Sequence, residues 1–231
     1  MNGIMRFLVC FSLICPCLVS AFPASKAPLG AAAQSTVVLD AARKADPIQL
    51  EKSLNAGSNP DIRTKNGVTP LMIASYNGYV TIARLLLRFG ANPSLATLAN
   101  SDFNFGKLLT NKNSKTTALM MAAYIGKLEM VLTLIKGGAD VNMQDSDGQT
   151  ALMYAILGDA HWPHKPLDTV RKKIILALLD AGADATLADT NGLDAAYYYS
   201  QVAGLVPGFG GSYDLDESVT AKDSLYRKMI I

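Results

Sequence analysis

An all-α solenoid of stacked helix pairs is the fold class this sequence predicts, and three observations predict it. A short phrase recurs as Gly67-Val68-Thr69-Pro70-Leu71-Met72, as Lys115-Thr116-Thr117-Ala118-Leu119-Met120 and as Gly148-Gln149-Thr150-Ala151-Leu152-Met153. A second phrase follows each copy: Gly90-Ala91-Asn92, Gly138-Ala139-Asp140 and Gly182-Ala183-Asp184. The spacing is regular, because Thr36 to Thr69 and Thr117 to Thr150 are both 33 residues. Thr69 to Thr117 is 48 residues and Thr150 to Asp194 is 44, so these two steps carry 15 and 11 extra residues. About five units follow, near 36–68, 69–116, 117–149, 150–193 and 194–231, of which the first and last are atypical caps with one face in water.

Before the first unit, Met1 to Ala21 has Arg6 as its only charge, an apolar run from Phe7 to Val19, and Val19-Ser20-Ala21 ahead of Phe22-Pro23. That is the layout of a secretory signal with a small-residue cleavage site, and the run falls short of the ~20 residues that span a bilayer. Cys10, Cys15 and Cys17 all lie inside it. A chain starting near Phe22 would hold no disulfide and would depend on packing, which a repeat stack supplies. Residues 22–35, rich in Pro, Ala and Ser, read as a flexible linker.

The domain proper is expected at 36–231. In the first unit Thr36 to Ala42 matches the opening-helix position, with Asp46, Lys52 and Asn55 on a more polar second helix. In the second, Thr69 caps a helix that opens on Pro70, where a missing N–H costs nothing. Gly78 breaks it, Val80 to Phe89 carries Ile82, Leu85, Leu86 and Phe89 at helical spacing, and Gly90 closes the unit. The same pairing repeats as Ala118–Tyr124 with Leu128–Lys136, and as Ala151–Leu157 with Val170–Asp180. Small Ala122, Ala123 and Ala155 let the opening helices lie close together. Asp194 to Val202 is the last opening helix, Gly204 to Gly211 a loop, and Leu215, Val219, Lys222, Tyr226 and Met229 mark a closing helix. Hairpin-like fingers join successive units.

A 33-residue period with a Thr-Pro-Leu helix opening resembles the ankyrin repeat, and the resemblance covers Thr36 to Gln201. Met72, Met120 and Met153 stand where that family commonly has histidine, which is expected to weaken one hydrogen-bonding role while sparing the helical pattern. The resemblance implies a concave face that reads a protein partner through finger tips and the exposed ends of the opening helices. Carried over, those positions are Lys65, Asn66, Val68, Tyr76 and Asn77, then Ser114, Thr116, Tyr124 and Ile125, then Ser146, Asp147, Gln149, Leu157 and Gly158. Arg43, Tyr76, Tyr124 and Leu157 each stand seven residues after a unit's anchor and form one ridge. Aromatic and arginine side chains are favoured binding anchors.

Signs of catalysis are sparse. His161 and His164 sit in Ala160-His161-Trp162-Pro163-His164, where Pro163 prevents one helix from presenting both. They read as an exposed insertion, the rival being a metal-dependent enzyme or metal carrier. Gly208 to Gly211 lacks the Gly-Lys-Ser/Thr of a phosphate loop and reads as flexible chain. Asp145, Asp147 and Asp189 fit turn formation better than calcium ligation. The other insertion, near residues 95–112, offers Phe103, Phe105 and Leu109 either to the concave face or to a partner.

Without Arg6 the chain has 20 basic against 19 acidic residues, and nothing clusters Lys and Arg for nucleic acid. The one Asn-x-Ser/Thr match, Asn92-Pro93-Ser94, is blocked by its proline. The expectation is a monomeric, non-catalytic, cofactor-free protein binder, periplasmic or secreted, with no stable membrane insertion after signal cleavage. An effector delivered to a host protein is the alternative.

Overall fold

The structure is a computed structural model in which residues 31–98, 115–158 and 168–203, with Leu225, Lys228 and Met229, are described. The chain divides into Met1–Ala31 and Ala32–Ile231, and every described residue except Ala31 lies in the second unit. Among the described residues there are nine helices and no strand. They are α1 (Ala31–Lys44), α2 (Pro47–Asn55), α3 (Pro70–Asn77), α4 (Val80–Arg88), α5 (Ala118–Ile125), α6 (Leu128–Lys136), α7 (Ala151–Leu157), α8 (Thr169–Asp180) and α9 (Ala195–Val202). The first helix therefore reaches back into the stretch read as linker to residue 35.

Helices α3, α5, α7 and α9 pack one against the next as an inner row, and α2, α4, α6 and α8 as an outer row. Composition explains which row is which. Pro70 to Ser75, Ala118 to Ala123 and Ala151 to Ile156 are buried without a break, as a helix apolar on all sides must be. The outer helices bury one stripe each, Ile82, Ala83, Leu85 and Leu86 in α4, then Met130, Val131 and Leu134 in α6, then Ile174, Ile175 and Leu178 in α8.

Each inner helix starts on a capping side chain. Thr69, Thr117 and Thr150 accept from the backbone N–H of Met72, Met120 and Met153, and Asp194 accepts from that of Tyr197 at 2.7 Å. The methionines take part. Met72 Sδ accepts from the Thr69 N–H, and Met120 Sδ from the Thr117 N–H, both at 3.4 Å. The hydrogen-bonding role expected to suffer from the loss of histidine is thus filled in two units by a thioether, a weak acceptor.

Tight turns join the units. Thr64 N–H reaches Val68 O, Asp145 N–H reaches Gln149 O, and Asp189 N–H reaches Leu193 O, at 2.9 to 3.0 Å. Neighbouring turns bond to one another through Leu98 N–H to Asn66 O and Thr190 N–H to Asp147 O. On the loops after the outer helices, Asp61 accepts from Asn92 N–H, Ser94 Oγ from Asp140 N–H, and Asn142 Oδ1 from Asp184 N–H. The extra residues between the second and third units leave and return through a matched pair. Thr97 N–H donates to Thr116 O and Thr116 N–H to Thr97 Oγ1, both at 3.0 Å.

At the far end Leu225, Lys228 and Met229 are helical, with Leu225 and Met229 buried and Lys228 paired with Asp180. Leu215, Val219, Lys222 and Tyr226 of the expected closing helix lie outside the described residues, as does the Gly208 to Gly211 loop.

Candidate functional site

The ridge expected at seven residues past each anchor falls on successive inner helices. Tyr76 and Tyr124 are the penultimate residues of α3 and α5 and Leu157 the last of α7, and all three are half-buried. Arg43 stands exposed in the last turn of α1, paired with Asp40 at 3.1 Å. Tyr124 meets the ring of Tyr154 edge to face, with centroids 6.1 Å apart. Half of that tyrosine therefore covers the joint between two units, and half faces outward. Ile125 is half-buried beside it, and Asn77 is exposed with its amide donating to Ile73 O.

At the turn tips Lys65 is exposed and Asn66, Ser146, Asp147 and Gln149 are half-buried. Two expected contact residues are not on the surface. Val68 is 0% exposed and Thr116 1%, because each sits directly before the capping threonine, where the turn re-enters the stack. They are core positions and, contrary to the expectation from repeat phase, not part of the candidate surface. Gly158 is also buried. Ser114, Phe103, Phe105, Leu109, His161, Trp162 and His164 lie outside the described residues. Among the described residues no group of three or more His, Cys, Asp or Glu is placed to hold a metal ion.

The acidic residues of the turns do the work of turns. Asp145 Oδ1 accepts from the Asp147 and Gln149 N–H groups at 2.9 and 2.8 Å, and Asp189 Oδ1 from those of Asn191 and Leu193 at 2.8 and 2.9 Å. Each carboxylate has a second oxygen bound by a tyrosine nine residues on. Tyr154 donates to Asp145 Oδ2 and Tyr198 to Asp189 Oδ2, both at 2.6 Å. Burial dominates at Asp145 and holds its carboxyl above the ordinary 3.8, with the bonds from Tyr154, Gln149 and Asp147 offsetting only part. At Asp189 burial also pushes upward, but the bonds from Tyr198, Leu193 and Asn191 together outweigh it and the carboxyl lies lower than usual. Both tyrosines are pushed well up, first by burial and then by the neighbouring carboxylate. They keep their protons, so each pair is a fixed strut rather than a proton relay.

Arg171 is the residue that repeat spacing did not single out. Its guanidinium donates to Ala155 O near the end of α7 at 3.2 Å and to Tyr124 O near the end of α5 at 3.1 Å. One cation thus serves two helix C-termini, where free carbonyls and the helix dipole favour positive charge. Gly158 makes this possible. A methyl group there would lie 1.9 Å from Arg171 Nη1. A sequence signal does exist, since Arg171 stands in step with Ile174, Ile175 and Leu178, a charge on the apolar stripe.

A family model described as "Ankyrin repeats (3 copies)" matches residues 94–189, and one described as "Ankyrin repeats (many copies)" matches residues 54–102. Together they take in more than half of the chain. The chain belongs to the ankyrin-repeat family. Its relatives include the Caenorhabditis elegans "Ankyrin repeat and KH domain-containing protein mask-1", 30% identical over 115 residues that make up 50% of this chain and 4% of that protein. The Bos taurus "Mitochondrial disaggregase" is 27% identical over 156 residues, 58% of this chain and 23% of its own length. The Mus musculus "Neurogenic locus notch homolog protein 1" is 35% identical over 103 residues, 43% of this chain and 4% of its own. The chain thus spans less than a quarter of the length of these relatives, and what is shared is the repeat array. Ankyrin repeats are in general protein–protein interaction modules and typically non-catalytic. No described helix is long and apolar enough to cross a membrane.

Proposed function

We propose that this ankyrin-repeat chain is an exported module that binds another protein across its turn tips and the adjoining ends of its inner helices, and that it performs no reaction itself. The observation that carries the reading is the half-buried row Tyr76, Tyr124 and Leu157 on three consecutive inner helices, flanked by exposed Lys65 and Asn77. Rings already held in place by packing lose little rotamer freedom when a partner covers their open halves. In this role the chain acts as a scaffold, an inhibitor or an assembly factor, as a monomer. The charge-poor leader with its Val19-Ser20-Ala21 site supports export to the periplasm or beyond.

Two measurements test it. Crosslinking with mass spectrometry on the native cell compartment identifies the partner, and titration of that partner against Tyr76→Ala/Tyr124→Ala should show a loss of ~2 kcal/mol or more. Because Tyr124 also packs on Tyr154, Tyr76→Ala alone is carried in parallel. Undiminished binding by both variants would refute the assignment. N-terminal sequencing of the protein recovered after fractionation should begin near Phe22, and an intact Met1 start would refute export by a cleaved leader.

A further inference from the structure

The outer row holds a feature that the inner face does not explain. Between α4 and α6 lies an open groove of about 460 Å³, lined by Arg84, Leu87, Arg88, Glu129, Leu132 and Lys136 among others. Its depth traces to one position. The residue capping each outer helix is Ala56 in α2, Phe89 in α4, Gly137 in α6 and Ala181 in α8. All four have right-handed backbone angles, with Gly137 at φ −78 and ψ 3, so nothing in the backbone asks for glycine there. The side chain is absent for reasons of space. A methyl group on Gly137 would come within 2.7 Å of Leu87 Cδ1, so Leu87 lies flat across it and forms the floor. The preceding groove has Phe89 at the equivalent place, and the following one has Ala181.

The walls differ from the floor. Arg84 and Arg88, one turn apart on α4, face Lys136 on α6, and Glu129 is the one carboxylate of the lining. Arg84 pairs with Glu129 at 3.0 Å and Arg88 with Glu51, but all four side chains are about half exposed or more, and such pairs open at little cost. Leu132 stands 48% exposed on the α6 wall. An apolar floor ringed by three cations complements a peptide with carboxylates either side of a large apolar side chain. A free fatty acid fits less well, since an open groove leaves an acyl chain half in water.

We propose that the α4–α6 groove is a second docking site, independent of the tyrosine row, for an acidic peptide segment of a partner protein that seats one aromatic or large aliphatic residue over Leu87 and Gly137. The test is selection of a random peptide library displayed on phage against the full chain, with each enriched clone then titrated against Lys136→Glu, Gly137→Leu and Leu132→Ser. Lys136→Glu and Leu132→Ser alter exposed side chains and keep the test valid should Gly137→Leu perturb folding. The expected result is a set of clones that bind the wild type, lose about tenfold in affinity in these variants, weaken with salt, and carry Asp or Glu flanking Phe, Trp or Leu. Any of four results would overturn the proposal: no clone sensitive to the groove variants, groove-sensitive clones that are basic or lack a large apolar residue, saturable oleate binding lost in Gly137→Leu, or wild-type self-association abolished by Gly137→Leu. The last two would assign the groove to a free amphiphile or to a second copy of the chain.

Discussion

Replacing Gly158 by alanine should destabilise the stack, and two separable causes add up. Gly158 has φ 54 and ψ −169, a region essentially closed to residues with a Cβ, so the backbone alone costs ~1–3 kcal/mol. The new methyl also meets Arg171 Nη1 at 1.9 Å and Cζ at 2.0 Å, which the guanidinium can escape only by leaving the carbonyls of Ala155 and Tyr124. Two charge-assisted bonds lost together cost ~1.5–3 kcal/mol. Gly158→Ala is therefore expected to lose about 2.5–6 kcal/mol. Arg171→Ala alone is expected to lose ~1.5–3 kcal/mol. In the Arg171→Ala background the methyl has nothing to displace, so adding Gly158→Ala costs only the backbone part, and the cycle is non-additive by ~1.5–3 kcal/mol. Urea unfolding followed by circular dichroism, with the slope checked for constancy across the four proteins, reads all of this. An additive cycle, or a Gly158→Ala protein within ~0.5 kcal/mol of wild type, would refute the clamp.

Two further predictions concern the turns. Gly148 and Gly192 share φ 77, but a methyl on Gly148 would fall 2.9 Å from Asp189 Cα while one on Gly192 meets nothing within 4 Å. Gly192→Ala should lose ~1 kcal/mol from strain alone and Gly148→Ala measurably more in the same urea assay; equal losses would mean that the turns are not in close contact. Carboxyl-detected NMR should find Asp145 titrating above 3.8 and Asp189 below it, although both are held by a tyrosine. The linkage signs then oppose. The raised Asp145 contributes stability that is full below 3.8 and is lost as pH rises through its own pKa, whereas the lowered Asp189 contributes stability present above 3.8 and lost as pH falls through its own. The reverse order of titration would show that burial does not govern Asp145.

Most of the helical layout was legible because glycine, threonine and alanine act locally. Thr69, Thr117 and Thr150 announce helix starts, and Gly78 and Gly126 end helices in the left-handed conformation, φ 79 and 82, that only their lack of a Cβ makes easy. The surface was harder. Val68 and Thr116 stand next to exposed turn residues in sequence, yet both are buried where the turn re-enters the stack, and burial of that kind is a tertiary fact that a repeat phase does not encode. Arg171 does not stand out in the repeat because the same position, four residues before the buried stripe's second member, holds Tyr79 and Lys127 in the two preceding units. The Asp145–Tyr154 and Asp189–Tyr198 pairs could have been found from their shared nine-residue interval; the second and third units have Ile73 and Met121 at the tyrosine position, which hid the pattern.

The paired threonines at the root of the longer insertion have a consequence for how this family member can change. Thr97 and Thr116 close a gate of two hydrogen bonds, which fixes where the intervening chain leaves the scaffold and where it comes back. Arg171 closes a similar gate behind Gly158. Such ports tie the two ends of an added stretch to the frame, an arrangement that suits both natural diversification and deliberate grafting.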